Sequence, residues 1–205
     1  MPPLTEQAHA IIRQVVRPGD VAIDATAGNG HDPKFLAELV GKTGHVFAID
    51  IQPEALQRTA TLLGDGVSAN VHLLHRDHAE LRTAIPEPHH GHVTAVMFNL
   101  GYLPGGNRSL ATQTDSTLPA IRSALEILRP GGVLSVIAYS GHPEGEDEAA
   151  AVRSLFRNLS TVDYETTRHS SASESASAPS LFVVSKHVST SDGGTRDEQP
   201  ALKRH

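Results

Sequence analysis

Val21-Ala-Ile-Asp24 is a short apolar run. A glycine turn follows, Asp24-Ala-Thr-Ala-Gly-Asn-Gly-His-Asp32, and then a helix-spaced stretch, Pro33-Lys-Phe-Leu-Ala-Glu-Leu-Val40. A buried strand, a glycine turn and a helix, in that order, confine this region to a nucleotide-type binding corner of an α/β fold. Gly28 and Gly30 accept φ > 0 and let a ligand approach the backbone. The helix start offers N–H groups that have no intrahelical partner.

The dinucleotide fingerprint requires a third glycine, and Pro33 stands in its place. Asp24 lies inside the turn, where it repels a pyrophosphate. A ligand with a cationic amino-acid portion and no phosphate fits better, and S-adenosylmethionine (SAM) is such a ligand. Asp50 ends the next apolar run, His45-Val-Phe-Ala-Ile-Asp50, about 20 residues past the turn, the spacing at which an acid reaches ribose hydroxyls. The expected cofactor wall is therefore Asp24 near the methionine amine, Ala27, Gly28, Asn29 and Gly30 at the turn, and Asp50 on the ribose. The competing reading is a plain strand–helix turn with Asp24 as a helix cap.

The remaining pattern alternates strand and helix. Helical spacing runs through Leu4–Val16, Gln52–Leu63, Ser116–Leu128 and Glu144–Leu159, with Pro119 expected in the first turn of its helix. Strands are expected at Val21–Ala25, His45–Asp50, Val71–Leu74, Thr94–Asn99, Val133–Tyr139, Thr161–Arg168 and Leu181–Ser185, with a turn at Arg129-Pro-Gly-Gly132. This order predicts a mainly parallel seven-stranded sheet with helices on both faces, and a ligand beyond the carboxyl ends of the strands. Asp24, Asp50, Asp77, Asn99 and Tyr139 all fall at or just past such ends.

With 205 residues the chain suits one domain, expected over 1–186, and a disordered polar tail over 187–205. The Ser/Ala-rich stretch 169–180 reads as a mobile loop. The absence of cysteine excludes disulfides, Cys-zinc sites and a Cys nucleophile. No apolar run is long enough for a bilayer and no secretory signal is evident, so a cytoplasmic location is the expectation. The formal net charge of −6 announces no global basic face for nucleic acid. Arg108, Arg122, Arg129, Arg153, Arg157 and Arg168 leave a local basic cluster open.

Phe98-Asn-Leu-Gly-Tyr-Leu-Pro-Gly-Gly106 follows the fourth strand and resembles the Asn/Asp-Pro-Pro-aromatic loop of amino-group methyltransferases. There, the Asn99 side-chain oxygen and a backbone carbonyl near Leu100 accept hydrogen bonds from an amine and aim its lone pair at a methyl sulfonium. Tyr102 stacks on a planar base. The amine must be neutral to attack, which makes His78 and His142 candidate proton acceptors.

DATAGNGHD, FAIDIQ, FNLGYLPGG, TQTDST and AYSGHPEG occur in this order between about residues 9 and 186. Together they resemble the bacterial tRNA 5-aminomethyl-2-thiouridine methyltransferases, earlier described as rRNA methylases. The resemblance implies a Rossmann-like class I SAM-dependent fold. It also implies methylation of the exocyclic aminomethyl group of a wobble uridine, with tRNA engaged at its anticodon region as partner. Carried over by motif, Asp24, Gly28, Asn29, Asp50 and Gln52 fall on the cofactor side, and Asp77 and His78 by the adenine. Asn99, Leu100, Gly101, Tyr102, Gly105 and Arg108 fall on the acceptor side, with Tyr139, His142 and Glu144 completing the wall. Asn107 and Arg108 stand where that family usually has an acid and a Lys. The sequence leaves monomer and homodimer open.

Thirteen histidines invite a metal reading. His72, His75 and His78 straddle a strand end, and His89, His90 and His92 share a Pro/Gly-rich loop, so no metal site is expected. A methyltransferase for a small-molecule amine, one acting on rRNA, and a non-catalytic SAM- or RNA-binding module remain as alternatives.

Overall fold

The computed structural model describes residues 2–67, 70–106, 110–140, 145–170 and 178–188. The elements run α1 (Leu4–Val15), β1 (Val21–Asp24), α2 (His31–Val40), β2 (His45–Asp50), α3 (Pro53–Val67) and β3 (Val71–His75). They continue with α4 (Leu81–Ala84), β4 (Val93–Leu100), α5 (Thr114–Ile127), β5 (Leu128–Ala138), α6 (Gly145–Arg157), β6 (Tyr164–Ser170) and β7 (Ser180–Lys186). The seven strands form one sheet in the order β3-β2-β1-β4-β5-β7-β6. β1 to β5 pair in parallel. β7 runs antiparallel to both of its neighbours.

Side chains alternate between two apolar layers. Ala22, Val46, Ala95, Met97, Val133 and Ile137 meet Leu4, Ala8 and Ile12 of α1 and Phe35, Leu36 and Val40 of α2. The opposite face, with Ile23, Phe47, Val96, Phe98, Leu134 and Val136, is covered by α5 and α6 through residues such as Ile121, Ala124, Val152 and Phe156. Ile12 is fully buried, and burial of one such side chain contributes about 1.5–3 kcal/mol. Strands covered on both faces carry near-continuous apolar runs, as Val21–Ile23, Ala95–Phe98 and Val136–Ala138 do. The edge strand β6 instead exposes Glu165, Thr166, Thr167 and Arg168, polar groups that discourage further pairing.

Several boundaries differ from the sequence reading, for local reasons. α5 begins at Thr114, so Pro119 sits in its second turn, not its first. Proline has no N–H, so the bond back to the Asp115 carbonyl is missing there. Arg129–Gly132 is not a turn between elements. It is a bulge inside β5: Leu128 pairs with Val93 and Val133 with Ala95, while the four residues between loop outwards. Arg129 Nε donates to Thr94 Oγ1 at 2.9 Å and holds the bulge down. β6 starts at Tyr164, because Thr161–Asp163 form a turn. β6 runs on to Ser170, so the expected loop retains only 178–179 among its described residues. Most of that loop, and the tail beyond Val188, lie outside them.

Candidate functional site

A cleft of about 890 Å³ opens beyond the carboxyl ends of β1, β2, β3, β4 and β5, within the usual range of roughly 300–1,000 Å³ for small-molecule sites. Each strand end supplies part of its wall. Ala25–Asn29 follow β1, Asp50–Gln52 close β2, Asp77–Ala79 follow β3, Asn99–Pro104 close β4 and Tyr139 follows β5.

The floor is the glycine turn. Gly28, at φ 53°, donates its N–H to Asp50 Oδ2 at 2.9 Å. Asp50 Oδ1 accepts the Gln52 N–H at 2.8 Å, so one carboxylate ties the turn to the start of α3. Asp77 caps the 3-10 turn His78–Glu80 by accepting the Ala79 N–H at 2.9 Å.

Three expected residues stand elsewhere. Asp24 is fully buried and does not line the cleft. Its Oδ1 accepts the Thr26 N–H at 2.9 Å from beneath the turn, while its Oδ2 has no partner. Burial, with Asp32 and Asp50 nearby, pushes its carboxyl well above the usual range. Gly30 is also outside the lining. A Cβ there would lie 2.7 Å from Thr59 Cα, so this glycine serves the close approach of the turn to α3. Gly105 does not reach the cleft either; its carbonyl accepts from Arg58 Nη2 at 3.2 Å. Ala27, Gly28, Asn29, Asp50, Gln52, Asp77, His78, Asn99, Leu100, Gly101, Tyr102 and Tyr139 all line the cleft. Arg108, His142 and Glu144 lie outside the described residues.

His78 is buried. Its Nε2 lies 3.0 Å from Ser116 Oγ and its ring meets Phe98 edge-on. Burial lowers its pKa, opposed by Asp77, the Ala25 carbonyl and Asp50. The Tyr139 phenol is held up by burial and then by the charge of Asp32, so it stays protonated. Asp32 presents a carboxylate to the cleft and is held from behind by His9 of α1, at 2.6 Å. That His9 ring stacks on Phe35 at 3.8 Å. Arg58 of α3 bridges the two sides of the cleft. Its Nη1 donates to Asn29 Oδ1 at 3.0 Å and to the Pro104 carbonyl at 3.1 Å. Asp32 closes the DATAGNGHD stretch with no role assigned to it there, and no motif marks Arg58; what identifies both is contact across the fold.

The other histidines scatter. His75 Nε2 meets the Ile51 carbonyl, while His72 Nε2 lies 3.2 Å from His45 Nδ1 and His89 packs on His45, at the strand end away from the cleft. Among the described residues no group of three is arranged to hold a metal. Burial and neighbouring histidines lower the pKa of His72 and His89. An unfolded chain therefore takes up these protons first, and their stabilising share is lost as pH falls below about 6.5. Asp24, with its raised pKa, acts in the opposite direction. The histidine share is thus read by difference. Between pH 7.5 and 5.5 a His72→Gln/His89→Gln double variant is expected to lose less Tm than the parent; an equal loss contradicts the assignment.

Residues 46–185 match the family described as Putative rRNA methylase. The chain belongs to this family. The chloroplastic tRNA (mnm(5)s(2)U34)-methyltransferase of Arabidopsis thaliana is 40% identical over 169 residues, 78% of this chain and 61% of that relative. The chain thus spans about three fifths of that relative's length. A Clostridium thermocellum protein solved under the family's description superposes with a TM-score of 0.85 at 35% identity, covering 91% of this chain and 98% of its own. A Streptococcus mutans protein of the same fold, solved in complex with S-adenosylhomocysteine (SAH), gives 0.80 at 33% identity, covering 91% and 99%. The architecture is the Rossmann-like fold of class I SAM-dependent methyltransferases, with the antiparallel β7 at one side of the sheet. Among the described residues no helix is long and apolar enough to cross a membrane.

Proposed function

We propose that this chain is a SAM-dependent methyltransferase that N-methylates the aminomethyl group of a tRNA wobble 5-aminomethyl-(2-thio)uridine, giving the methylaminomethyl product. One observation carries the reading: a single cleft joins the glycine turn and Asp50 to the Asn99-Leu100-Gly101-Tyr102 loop, a donor wall facing an acceptor wall. The match to a relative named for that wobble nucleoside supports the choice of acceptor.

The residues fit the donor. Asp50 and Gln52 suit the ribose, Asp77 and His78 the adenine, and the turn at Ala27–Asn29 the methionine portion. On the acid side of that portion Asp32 faces the cleft directly, and buried Asp24 acts from below with Oδ2 unpartnered. When bound, SAM would supply an electrophilic methyl on a sulfonium, open to in-line attack by a neutral amine, with the S–C bond pair leaving on sulfur as a neutral thioether.

The chain's own contribution is placement. Asn99 and the Leu100 carbonyl accept from the amine and orient its lone pair. Tyr102 and Tyr139, each 38% exposed, offer ring faces to a planar base. Proximity and orientation of this kind supply roughly 7–11 kcal/mol of barrier lowering. His78 acts as wall, since its Nε2 is engaged by Ser116.

Nucleoside mass spectrometry of tRNA from a strain lacking the protein tests the assignment. Accumulation of the unmethylated aminomethyl nucleoside, reversed by the purified protein with SAM, is expected. An unaltered wobble profile overturns the tRNA reading and favours a small-molecule amine, consistent with the net charge of −6.

A further inference from the structure

Glu148 is a second buried acid, on a different element from Asp24. It lies on the apolar stripe of α6, beside Ala149, Val152, Leu155 and Phe156, and is only 2% exposed. A carboxylate is costly to bury unless hydrogen bonds offset its lost hydration. Two hydroxyls do so here. Thr112 Oγ1 donates to Glu148 Oε2 at 2.8 Å, and Thr117 Oγ1 donates to Oε1 at 2.6 Å.

Each hydroxyl has one proton, so the direction of these bonds determines how the neighbouring loop is held. The Thr112 proton goes to Glu148, and its oxygen is left to accept the Gly101 N–H at 2.8 Å. Thr112 also donates its own N–H to the Gly101 carbonyl at 2.8 Å. Both polar groups of Gly101 are thereby fixed, two residues after Asn99, at a φ of 139°. The segment from Gly101 to Thr112 is closed at its base like a loop on a clasp. Thr117 sits in α5 next to Ser116, whose Oγ holds His78 on the opposite wall.

We propose that Glu148 is a positioning residue for the acceptor loop, acting through Thr112 on Gly101 and through Thr117 on the start of α5. It touches neither donor nor amine. Its two acceptor oxygens set the direction of both threonine hydroxyls and so the register of Asn99 and Leu100 against the donor wall. This rests on the methyl-transfer reading for its consequence, though the clasp itself is a property of the chain.

Glu148→Gln is the informative variant, because it keeps the shape. An amide nitrogen donates where a carboxylate oxygen accepted, so one of the two threonine bonds meets a donor instead of an acceptor. Thr112→Val removes the hydroxyl at constant shape and Thr112→Ser keeps it. Three quantities are read: amide hydrogen exchange of the peptide containing Gly101, SAM affinity by calorimetry, and single-turnover methyl transfer. In Glu148→Gln and Thr112→Val, exchange at Gly101 is expected to accelerate several-fold. Turnover is expected to fall by about a hundredfold, the scale of a small misplacement of reacting groups. SAM affinity changes little, Tm falls by the few degrees expected when a buried acceptor loses its partner, and Thr112→Ser recovers most of the turnover lost in Thr112→Val.

Unchanged exchange in Thr112→Val shows that there is no clasp and overturns the proposal. Faster exchange with unchanged turnover reduces Glu148 to architecture and also overturns it. So does a loss of SAM affinity as large as the loss of turnover. A wild-type protein that exchanges slowly at Gly101 yet methylates no aminomethyl-uridine tRNA refutes the substrate reading and leaves the clasp standing.

Discussion

Asn99→Ala is expected to cut single-turnover methyl transfer by about a hundredfold or more, while calorimetric SAM affinity stays close to that of the parent. The residue is the penultimate one of β4, on the cleft wall and two residues before the Gly101 clasp. Its backbone N–H donates to Thr26 Oγ1 at 2.8 Å, a bond that alanine retains, so the strand end keeps its place. What alanine removes is the side-chain oxygen assigned to the amine. Asn99→Asp restores an acceptor oxygen and is expected to recover part of the rate. Unchanged turnover in Asn99→Ala removes Asn99 from the chemistry. A collapse of SAM affinity instead moves it to the donor wall.

Gly30→Ala is expected to cost a large share of stability. The backbone there has φ 87°, a conformation that costs a residue with a Cβ about 1–2 kcal/mol. The added carbon also meets Thr59 Cα at 2.7 Å, and backbone does not yield as a flexible side chain does. Overpacking of this sort adds about 1–3 kcal/mol. For a chain of this size each kcal/mol lowers Tm by roughly 2–4 °C. Gly91→Ala separates the two contributions: φ is 77° but nothing lies within 4 Å of its Cβ position. Thermal denaturation is expected to show a much larger fall for Gly30→Ala than for Gly91→Ala. Equal falls leave only the backbone cost and remove the turn-to-α3 contact from the explanation.

How far the amino-acid pattern reaches can be traced through single residues. Counting strands puts Asp50, Asp77, Asn99 and Tyr139 on one edge, because a parallel sheet brings successive carboxyl ends together. The same count puts Asp24 there, but position at a strand end does not say whether a side chain points up into the cleft or down into the core. Gly30 groups with Gly28 because both suit a tight turn. Only α3, 29 residues further on, distinguishes the one that lines the cleft from the one that faces Thr59. Glu148 does leave a trace, as a charge on an apolar helical stripe. Its partners lie 31 and 36 residues away, which periodicity does not register. Arg58 leaves no trace at all, since an exposed helical arginine looks alike whether it faces water or spans two loops.

Among the described residues the cleft lining carries Asp32, Asp50, Asp77 and Asp115, with Arg58 bonded across its rim to Asn29 and Pro104. On the proposed tRNA reading, such a surface disfavours a phosphate backbone and admits a single everted nucleoside with its amine in front. It also distinguishes before from after. The donor arrives with a sulfonium charge and departs as a neutral thioether. The wall that attracts fresh donor therefore loosens its hold on the spent one, and the direction of cofactor exchange is written into four carboxylates.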